Sequence, residues 1–345
     1  MKLVFTSGIS GCDRKRYCGD FVKYCNNRGK KIEVFDIGQM IIQQATDTGY
    51  PINIKNITHA DKAFLAALRS AVFTKIANEI KTRLASYDAV VINMHGWLFG
   101  KDLFWLTYDR FLDSFLDEFP SDLFITFIDD FRHIYNRLNQ RDQWSGEKLT
   151  FTKILYWQNI EVEFIRGLAN TRHKPFFALP TGQPIWTLYK LIFHPEIETL
   201  YIKMPISHFR APEKRAIIDD FIKELDRPFN VFSPLSVEVV GVTPVDKFGD
   251  EEIQTIDNHV VNRDLDWFVE QCELGVNIWP EVVPSPGVDH ETHRSYIRTK
   301  EEWTVYLGKE RSPFISFFNT GFFKSMEDFF EFVYKKYPER RNLVW

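Results

Sequence analysis

The sequence predicts an α/β protein with two domains, each built on a mostly parallel sheet. The 345 residues are more than a typical single core contains. Short apolar runs alternate with longer amphipathic runs along the chain, which is typical of strands that alternate with helices. The pattern restarts at the segment HPEIET (194–199), so we expect a boundary near residue 196 and domains at 1–196 and 197–345.

The first half contains apolar runs that we interpret as buried strands. They lie at 2–5, 32–35, 88–94, 123–128 and 175–179. Between them, apolar residues recur at helical spacing in the stretches 60–86, 103–118 and 151–169. The segment 131–150 fits neither period, so we expect a loop or lid there.

The second half repeats this alternation. Its predicted strands lie at 199–204, 229–232, 274–279, 303–307 and 313–318. Its predicted helices lie near 211–225, 258–271, 289–298 and 325–336. Parallel sheets whose faces are covered by helices therefore account for both halves of the chain.

The composition argues against several classes of protein. Acidic and basic residues are interspersed and the formal net charge is −4, so the chain lacks a basic footprint for nucleic acid. No stretch reaches the roughly 18 apolar residues that a membrane span requires, and the amino terminus does not have the pattern of a signal peptide. The four cysteines have neither CxxC spacing nor a disulfide framework. We therefore expect a soluble, cytoplasmic protein.

The segment GISGCDRK at 8–15 nearly matches the phosphate-binding pattern G-x-x-x-x-G-K-[ST]. It follows a short apolar strand and precedes an amphipathic helix, which is the context that such a loop needs. Gly8 and Gly11 are present, but Asp13, Arg14 and Lys15 stand where the pattern has Gly, Lys and Ser or Thr. Asp13 therefore brings a carboxylate into an anion-binding turn, and Lys15 supplies no hydroxyl for Mg²⁺.

Residues 1–195 resemble P-loop nucleoside monophosphate kinases of the adenylate kinase type in their order of strand, loop and helix. The resemblance implies a nucleotide site that uses ATP and Mg²⁺, with the residues Gly8, Gly11, Arg14 and Lys15. It also implies lid arginines, here Arg132, Arg137 and Arg141. Because the loop departs from the pattern, three interpretations stay open: a working kinase, a loop that binds a nucleotide without phosphoryl transfer, and a scaffold that only packs against its neighbour.

Residues 258–296 carry a second set of chemically suited side chains, in a segment that we read as helix, strand, loop and helix. Asp264 lies in RDLDW, Ser285 and Gly287 lie in PSPG, and Glu291 lies in GVDHE. The S-x-G-x-x-x-E spacing places a hydroxyl and a flexible Gly at the carboxyl edge of the strand, where ligands of parallel sheets bind. It also places the Glu one turn into the next helix.

Residues 198–338 resemble the 2'-deoxynucleoside 5'-monophosphate N-hydrolases and the nucleoside 2-deoxyribosyltransferases. The segments TLYIKMPISHFR, DLDWFVEQ, SPGVDHE and FNTGFFKSMEDFFEFV carry the resemblance, which implies a flavodoxin-like fold. It implies that Glu291 is the catalytic carboxylate, with Asp264 and Tyr201 beside it. It also implies that Ser285 helps to bind the 5'-phosphate, with Gly287 as a further substrate-binding residue.

The turn at the start of this second half departs from the family pattern. Met204 and His208 stand where the family usually has Gly, which would let backbone amides approach a phosphate. Ser207 and Arg210 would supply those contacts instead, since an arginine can bind phosphate with two hydrogen bonds.

These motifs predict a hydrolase that cleaves the N-glycosidic bond of a nucleoside 5'-monophosphate, without a metal or another cofactor. Such cleavage passes through an oxocarbenium-like sugar that a carboxylate stabilises. The alternatives are a nucleotide or nucleoside kinase that uses the N-terminal loop, and a non-catalytic nucleotide sensor or a nucleotide-depleting defence protein. In the purely structural alternatives, Glu291 complements a helix dipole and Asp264 caps a helix. The expected partner is a small nucleotide, and the resemblance implies a homo-oligomer.

Overall fold

The computed structural model describes residues 1–144, 146–209, 211–237, 248–309 and 313–345. The chain forms two compact units. Unit 1 contains Met1–Ile185 with Phe248–Ile256, and unit 2 contains the described residues of 186–247 and 257–345. The break between them lies at the start of a helix at Ile185–Phe193 rather than near residue 196. This helix belongs to unit 2 because its buried Lys190 Nζ donates to Asp226 Oδ1 at 3.0 Å.

The strands of unit 1 form a parallel sheet and a short hairpin. They are β1 (Lys2–Ser7), β2 (Ile32–Asp36), β3 (Ala89–Asn93), β4 (Trp97–Gly100), β5 (Leu103–Leu106), β6 (Leu123–Ile128) and β7 (Phe176–Pro180). β4 and β5 pair antiparallel with each other. The other five form a parallel sheet in the order β2-β3-β1-β6-β7, so β1 lies at the centre. Continuous buried runs such as LFITFI in β6 suit this position because helices cover both faces.

The helices of unit 1 connect these strands, and carboxylate caps mark where several begin. They are α1 (Arg14–Asn26), α2 (Ile37–Asp47), α3 (Lys62–Thr82), α4 (Arg110–Glu118), α5 (Phe131–Asn139) and α6 (Phe151–Thr171). Asp61 caps α3 and Asp109 caps α4, each accepting from backbone N–H groups of the first turn.

Two predictions for unit 1 are wrong in detail. The stretch 103–118 is a strand followed by a helix, because the Asp109 cap starts α4 after β5 has ended. The segment 131–150 is not a loop or lid throughout, because α5 occupies its first part. Ile134 and Leu138 are buried on one face of α5, and Asp130 caps it. Many charged and amide side chains on the opposite face hide this periodicity in the sequence.

Unit 2 is also built on a five-stranded parallel sheet. Its strands are β8 (Thr199–Lys203), β9 (Asn230–Phe232), β10 (Leu274–Trp279), β11 (Glu301–Tyr306) and β12 (Gly321–Phe323). The order is β9-β8-β10-β11-β12, which is the doubly wound order 2-1-3-4-5 when the strands are counted within the unit. The strand order therefore reverses between β8 and β10, whose carboxyl ends flank the predicted site.

The helices of the second half follow the predicted alternation with two differences. They are α7 (Ile185–Phe193), α8 (Pro212–Leu225), α9 (Asp250–Asn262), α10 (Pro286–Ile297), α11 (Pro313–Phe317) and α12 (Met326–Lys336). The predicted helix 258–271 begins earlier and ends as a π-helical segment, Arg263–Val269. The predicted strand 313–318 is the short helix α11, and β12 follows it. An apolar run of five or six residues does not distinguish a strand from a helix by periodicity alone.

Each unit has its own hydrophobic core. In unit 1, side chains of β1, β3 and α3 pack together, among them Phe5, Ile92 and Phe73. In unit 2, Ile202, Val276 and Trp303 of neighbouring strands pack against α8 and α12. The prediction of an α/β fold with parallel sheets is confirmed. None of the helices in the described part of the chain is long and apolar enough to cross a membrane.

Candidate functional site

Unit 1 has a cavity at the carboxyl edge of its sheet, the edge where ligands of such sheets bind. Its volume is about 360 Å³, within the range of about 300–1,000 Å³ that is usual for small-molecule sites. The walls come from the turn after β1, the start of α2, α3, and the chain that follows β3. Of the predicted nucleotide-site residues, Gly11, Arg14 and Lys15 line this cavity.

The turn between β1 and α1 requires an unusual backbone. The φ angles are +151° at Gly8, +88° at Gly11 and +61° at Asp13. At Gly8 a Cβ would lie 2.8 Å from Phe127 O, so this position needs glycine for space as well as for conformation. Asp13 takes the left-handed conformation with a side chain that costs more than glycine there, and its Oδ2 lies 2.5 Å from Arg16 Nε.

Arg14 stands near the lysine position of the phosphate-binding pattern but binds the protein itself. Its guanidinium is buried, and Nη1 donates to Gly8 O at 2.8 Å and to Met94 O at 2.5 Å. These bonds tie the turn after β1 to the chain that follows β3. Because these donors are committed to backbone carbonyls, Arg14 stabilises the turn and is not available as a simple replacement for the pattern's lysine.

Glu161 of α6 is a buried carboxylate at the same turn that the sequence analysis did not single out. Its Oε1 accepts from Gly8 N at 3.2 Å and from Gly96 N at 2.7 Å, and its Oε2 accepts from Trp97 N at 2.7 Å. Burial raises the pKa of Glu161, and the hydrogen bonds from Gly96 N and Trp97 N act in the opposite direction. Its position in the middle of a helix, outside any motif, leaves no signal in the sequence.

Three cations line the cavity without being neutralised. Lys15, Lys62 and Arg141 have no ion-pair partner among the residues that the structure describes. Lys62 Nζ lies 5.2 Å from the centroid of the Trp105 ring, over its face. Of the predicted lid arginines, only Arg141 lines the cavity, because Arg132 and Arg137 bind the carboxylates of Asp130 and Asp129 after β6.

Several buried polar atoms of the cavity residues have no hydrogen-bond partner within the described ranges. They are Thr58 Oγ1, Arg69 Nη1, His95 Nδ1 and Asp109 Oδ2. Burial holds the pKa of His95 well below 6.5, so its imidazole is neutral at pH 7. An unpaired buried polar group costs about 1–3 kcal/mol, so a bound ligand that paired these atoms would gain correspondingly. No motif in the sequence points to Arg69 or Asp109.

In unit 2, the structure brings Tyr201 and Glu291 together. Tyr201 in β8 is buried and donates from its hydroxyl to Glu291 Oε1 of α10 at 2.9 Å. Burial, followed by the nearby charge of Asp264, raises the pKa of Glu291 to about 8. Burial is also the main reason that the pKa of Tyr201 is raised well above 10. The pair is therefore held in a neutral, hydrogen-bonded form at pH 7.

Other polar side chains near this pair are bound to each other. Asp264 binds its neighbour Arg263 through both carboxylate oxygens, at 2.8 and 3.1 Å. Lys203 Nζ donates to Glu302 Oε2 at 2.6 Å and to Ser295 Oγ at 2.7 Å, and all three side chains are buried.

This close packing explains a glycine in the middle of β10. A Cβ at Gly275 would lie 2.0 Å from Glu302 Oε2 and 2.7 Å from Lys203 Nζ. Because Gly275 has no side chain, the buried ion pair can occupy the space beside the strand.

The predicted phosphate contacts of unit 2 lie on the segments that follow β8 and β10, including the first turn of α10. Ser285 precedes α10 but makes no side-chain cap, and Gly287 lies in the first turn of that helix. Ser207 lies in a short 3-10 turn after β8. Arg210 lies outside the described residues. The order of the strands puts these segments at one edge of the sheet. Their role in binding a phosphate stays a prediction.

Comparisons with known proteins give no match to any family profile and none to a curated protein. Similar solved structures include a deoxyadenosine kinase from M. mycoides with the products dCMP and a flexible dCDP bound. It has 12% sequence identity and a TM-score of 0.34, and the match covers 56% of this chain and 98% of that one. A gluconokinase from Sinorhizobium meliloti 1021 has 16% identity and a TM-score of 0.30, over 53% of this chain and 85% of that one. At these TM-scores we transfer no residue role.

The comparisons correct the predicted function. The two structures named above are kinases, a finding that favours the kinase alternative over the predicted hydrolase. The prediction of a hydrolase that releases a base is wrong against this finding. In physical terms, the resemblance pointed to Tyr201 and Glu291, which do come together, but their contact does not show whether they face a substrate. The deoxyribosyltransferase-like character of unit 2 stays a prediction.

Proposed function

We propose that unit 1 binds a nucleoside phosphate beside the turn at Gly8–Gly11 and acts as a nucleotide or nucleoside kinase. The observation that carries this proposal is the cavity at the carboxyl edge of the sheet, whose lining includes three cations without ion-pair partners among the described residues, Lys15, Lys62 and Arg141. Uncompensated cations beside a glycine-containing turn attract phosphate groups.

The rest of the lining suits the uncharged part of a nucleoside. Apolar side chains alternate with the polar ones, among them Ile41, Leu65 and Leu98. Trp105 adds an aromatic ring, to which a flat base can stack. A ligand with an anionic end and a flat apolar end therefore matches the two kinds of wall better than a simple sugar would.

Phosphoryl transfer to a nucleoside or nucleotide would follow the usual course. The acceptor's oxygen attacks the terminal phosphorus of ATP, the bond to the bridging oxygen breaks, and ADP leaves. The proton of an acceptor hydroxyl would pass to a carboxylate. Asp36 is the candidate for this role, because it lines the cavity at the start of α2 and uses one oxygen to accept from Gln39 N.

The residues of the turn also fit a nucleotide-bound Mg²⁺. This ion is normally held by one or two protein oxygens, substrate phosphates and water. Such an ion does not need a cluster of three or more His, Cys, Asp or Glu side chains. The described part of the chain has no cluster of this kind. The Ser10 hydroxyl and the Asp13 carboxylate line the cavity and would supply the protein oxygens.

A second candidate is a sensor that binds a nucleotide without turnover. The observation that favours it is the commitment of Arg14 to the carbonyls of Gly8 and Met94. The Arg14 guanidinium, which would have to move with the transferred phosphoryl group, is then held in place by the protein. Lys15 and Arg141 would have to supply that charge, and both are more exposed.

Phosphoryl transfer and binding can be measured separately. The full chain is incubated with ATP, Mg²⁺ and a panel of nucleosides and nucleoside monophosphates, and phosphorylated products and ADP are separated by HPLC. Nucleotide binding is measured in parallel by calorimetry. We expect acceptor-dependent ADP formation, which falls about tenfold or more in Lys15→Ala, since a charge-assisted contact is worth roughly 1.5–3 kcal/mol.

The matched control is Lys23→Ala on the same helix, since Lys23 does not line the cavity and its side chain is 78% exposed. This variant should behave like the wild type. Binding without product formation would favour the sensor over the kinase. If no nucleotide binds, or if Lys15→Ala and Lys23→Ala have equal effects, the proposed site is wrong.

A further inference from the structure

The cavity of unit 1 contains a donor and an acceptor that face each other without bonding. Arg69 of α3 is 8% exposed, and its Nη1 lies 3.6 Å from Asp109 Oδ2, beyond hydrogen-bond length. Neither atom has a hydrogen-bond partner within the described ranges. Asp109 Oδ1 is already used, because it caps α4 by accepting from Phe111 N and Leu112 N. The two groups therefore form an ion pair at this distance, but the donor and the acceptor each lack a hydrogen bond.

This arrangement is costly unless something completes it. Burial lowers the pKa of Arg69, and the charge of Asp109 only partly compensates. A guanidinium so buried is normally paired by direct hydrogen bonds. Since both residues line the cavity, a ligand in that cavity can supply the missing partners.

The surroundings indicate what kind of group that ligand presents. Trp105 and Leu98 line the same cavity as apolar walls. Thr58, which is buried and whose Oγ1 has no hydrogen-bond partner within the described ranges, lines it as well. A flat, apolar ring with polar atoms along one edge fits between such walls, and a nucleobase is a ring of this kind.

Resting on the proposed function of unit 1, we propose that Arg69 and Asp109 recognise the base of the ligand and select adenine or cytosine. In both bases an exocyclic amino group lies beside an unprotonated ring nitrogen. The amino group donates to Asp109 Oδ2, and the ring nitrogen accepts from Arg69 Nη1. Hypoxanthine and uracil present the reverse order, a carbonyl beside a ring N–H, and would oppose donor to donor and acceptor to acceptor.

Calorimetry with four nucleosides tests this selection: adenosine, cytidine, inosine and uridine. We expect the amino member of at least one pair, adenosine over inosine or cytidine over uridine, to bind about tenfold more tightly or better, because the oxo analogue leaves the site's polar groups unpaired. The two pairs also tell a purine site from a pyrimidine site. Asp109→Asn keeps a residue that caps α4 well and turns the free acceptor into a donor, so it should abolish or reverse the preference.

Asp61→Asn is the matched control, because Asp61 caps α3 in the same way but is exposed and lies outside the cavity lining. It should leave the preference unchanged. Equal binding of both members of each pair contradicts base selection but leaves the kinase proposal intact. An amino preference without phosphoryl transfer contradicts the kinase and supports this inference. The assignment to this pair is wrong if Asp109→Asn has an unchanged urea midpoint and still keeps the wild-type preference. It is also wrong if none of the four nucleosides binds.

Discussion

Unit 1 and unit 2 are built on the same plan, a five-stranded parallel sheet between helices, but they differ in how their buried polar groups are satisfied. In unit 1, Arg69 and Asp109 face a cavity without hydrogen bonds between them. In unit 2, Lys203 and Glu302 form a direct ion pair inside the sheet and Tyr201 binds Glu291. Both units contain perturbed carboxylates and buried polar atoms without hydrogen-bond partners in the described part of the chain, such as Glu302 Oε1 in unit 2, but those of Arg69 and Asp109 line a cavity.

The comparison teaches that a strongly shifted pKa does not by itself identify a site. Glu291 is strongly perturbed, because its burial and the neighbouring Asp264 raise its pKa to about 8. Structural networks shift pKa values as active sites do. Arg69 is more informative, because its buried nitrogen has no hydrogen-bond partner in the described part of the chain and the residue lines a cavity.

The largest expected effect comes from removing half of the buried ion pair in unit 2. Lys203→Ala leaves Glu302, which is 0% exposed, without its cation. We expect the free energy of unfolding at pH 7 to fall by about 3–5 kcal/mol, as measured by urea denaturation. The double variant Lys203→Met with Glu302→Leu should recover most of this loss. A single variant that costs less than about 1 kcal/mol would show that the pair is not structural.

A second effect concerns Glu291 and depends on pH. Its pKa in the folded chain is about 8, above the ordinary value of 4.5, so folding favours the protonated form. Its contribution to stability is complete below pH 4.5 and is lost as the pH rises through 8. Glu291→Gln imitates the protonated form and keeps the acceptor for Tyr201.

We therefore expect Glu291→Gln to unfold like the wild type near pH 4.5 and to be more stable by on the order of 2–4 kcal/mol near pH 9. Urea titrations at several pH values measure this difference. Asp266→Gln is a control, since Asp266 lies in the same unit with a half-exposed side chain bound to Arg294. Parallel pH profiles for the wild type and Glu291→Gln would contradict a raised pKa.

The strands were largely predictable, whereas the polar partners were not. Buried parallel strands such as 123–128 are continuous apolar runs, which set them apart from loops. The sequence did not predict α5, because a short helix with one apolar stripe resembles a polar loop. It did not predict the helix at 313–317 either, because this run is too short for its periodicity to be read.

The candidate site was predictable only where a motif names it. The pattern at 8–15 led to Gly11, Arg14 and Lys15, which line the cavity. Arg69 and Asp109 belong to no motif, since they come from α3 and from the cap of α4 and meet only after folding. Likewise, nothing in the sequence shows that the guanidinium of Arg14 donates a hydrogen bond to Gly8 O.

Arg14 and Lys15 are neighbours in the sequence, and the structure separates their roles. Arg14→Ala removes the donor to Gly8 O and Met94 O, and we expect a loss of about 2–3 kcal/mol in the free energy of unfolding. Lys15→Ala should cost less than about 0.5 kcal/mol, because its side chain is exposed and unpaired among the described residues. Urea denaturation of both variants measures this. Equal losses would mean that Arg14 is not what holds the turn.

The smallest expected effect concerns Asp13, the residue that departs most from the phosphate-binding pattern. Its φ of +61° suits glycine better than aspartate, and its pair with Arg16 is half exposed and therefore weak. Asp13→Gly should raise the free energy of unfolding by about 0.5–1 kcal/mol.

The same substitution should also strengthen phosphate binding, because the Asp13 carboxylate lines the cavity and repels an anion there. At short range in water this repulsion is about 1 kcal/mol, so we expect ATP to bind about five times more tightly without Mg²⁺. Asp13→Asn separates the two causes, since it removes the charge but tolerates the left-handed conformation as aspartate does. It should gain the affinity and not the stability. With Mg²⁺ present, both variants should instead bind ATP less well, because they lose the carboxylate proposed as a ligand of the ion. If neither variant binds metal-free ATP more tightly, the Asp13 carboxylate does not face the bound phosphates.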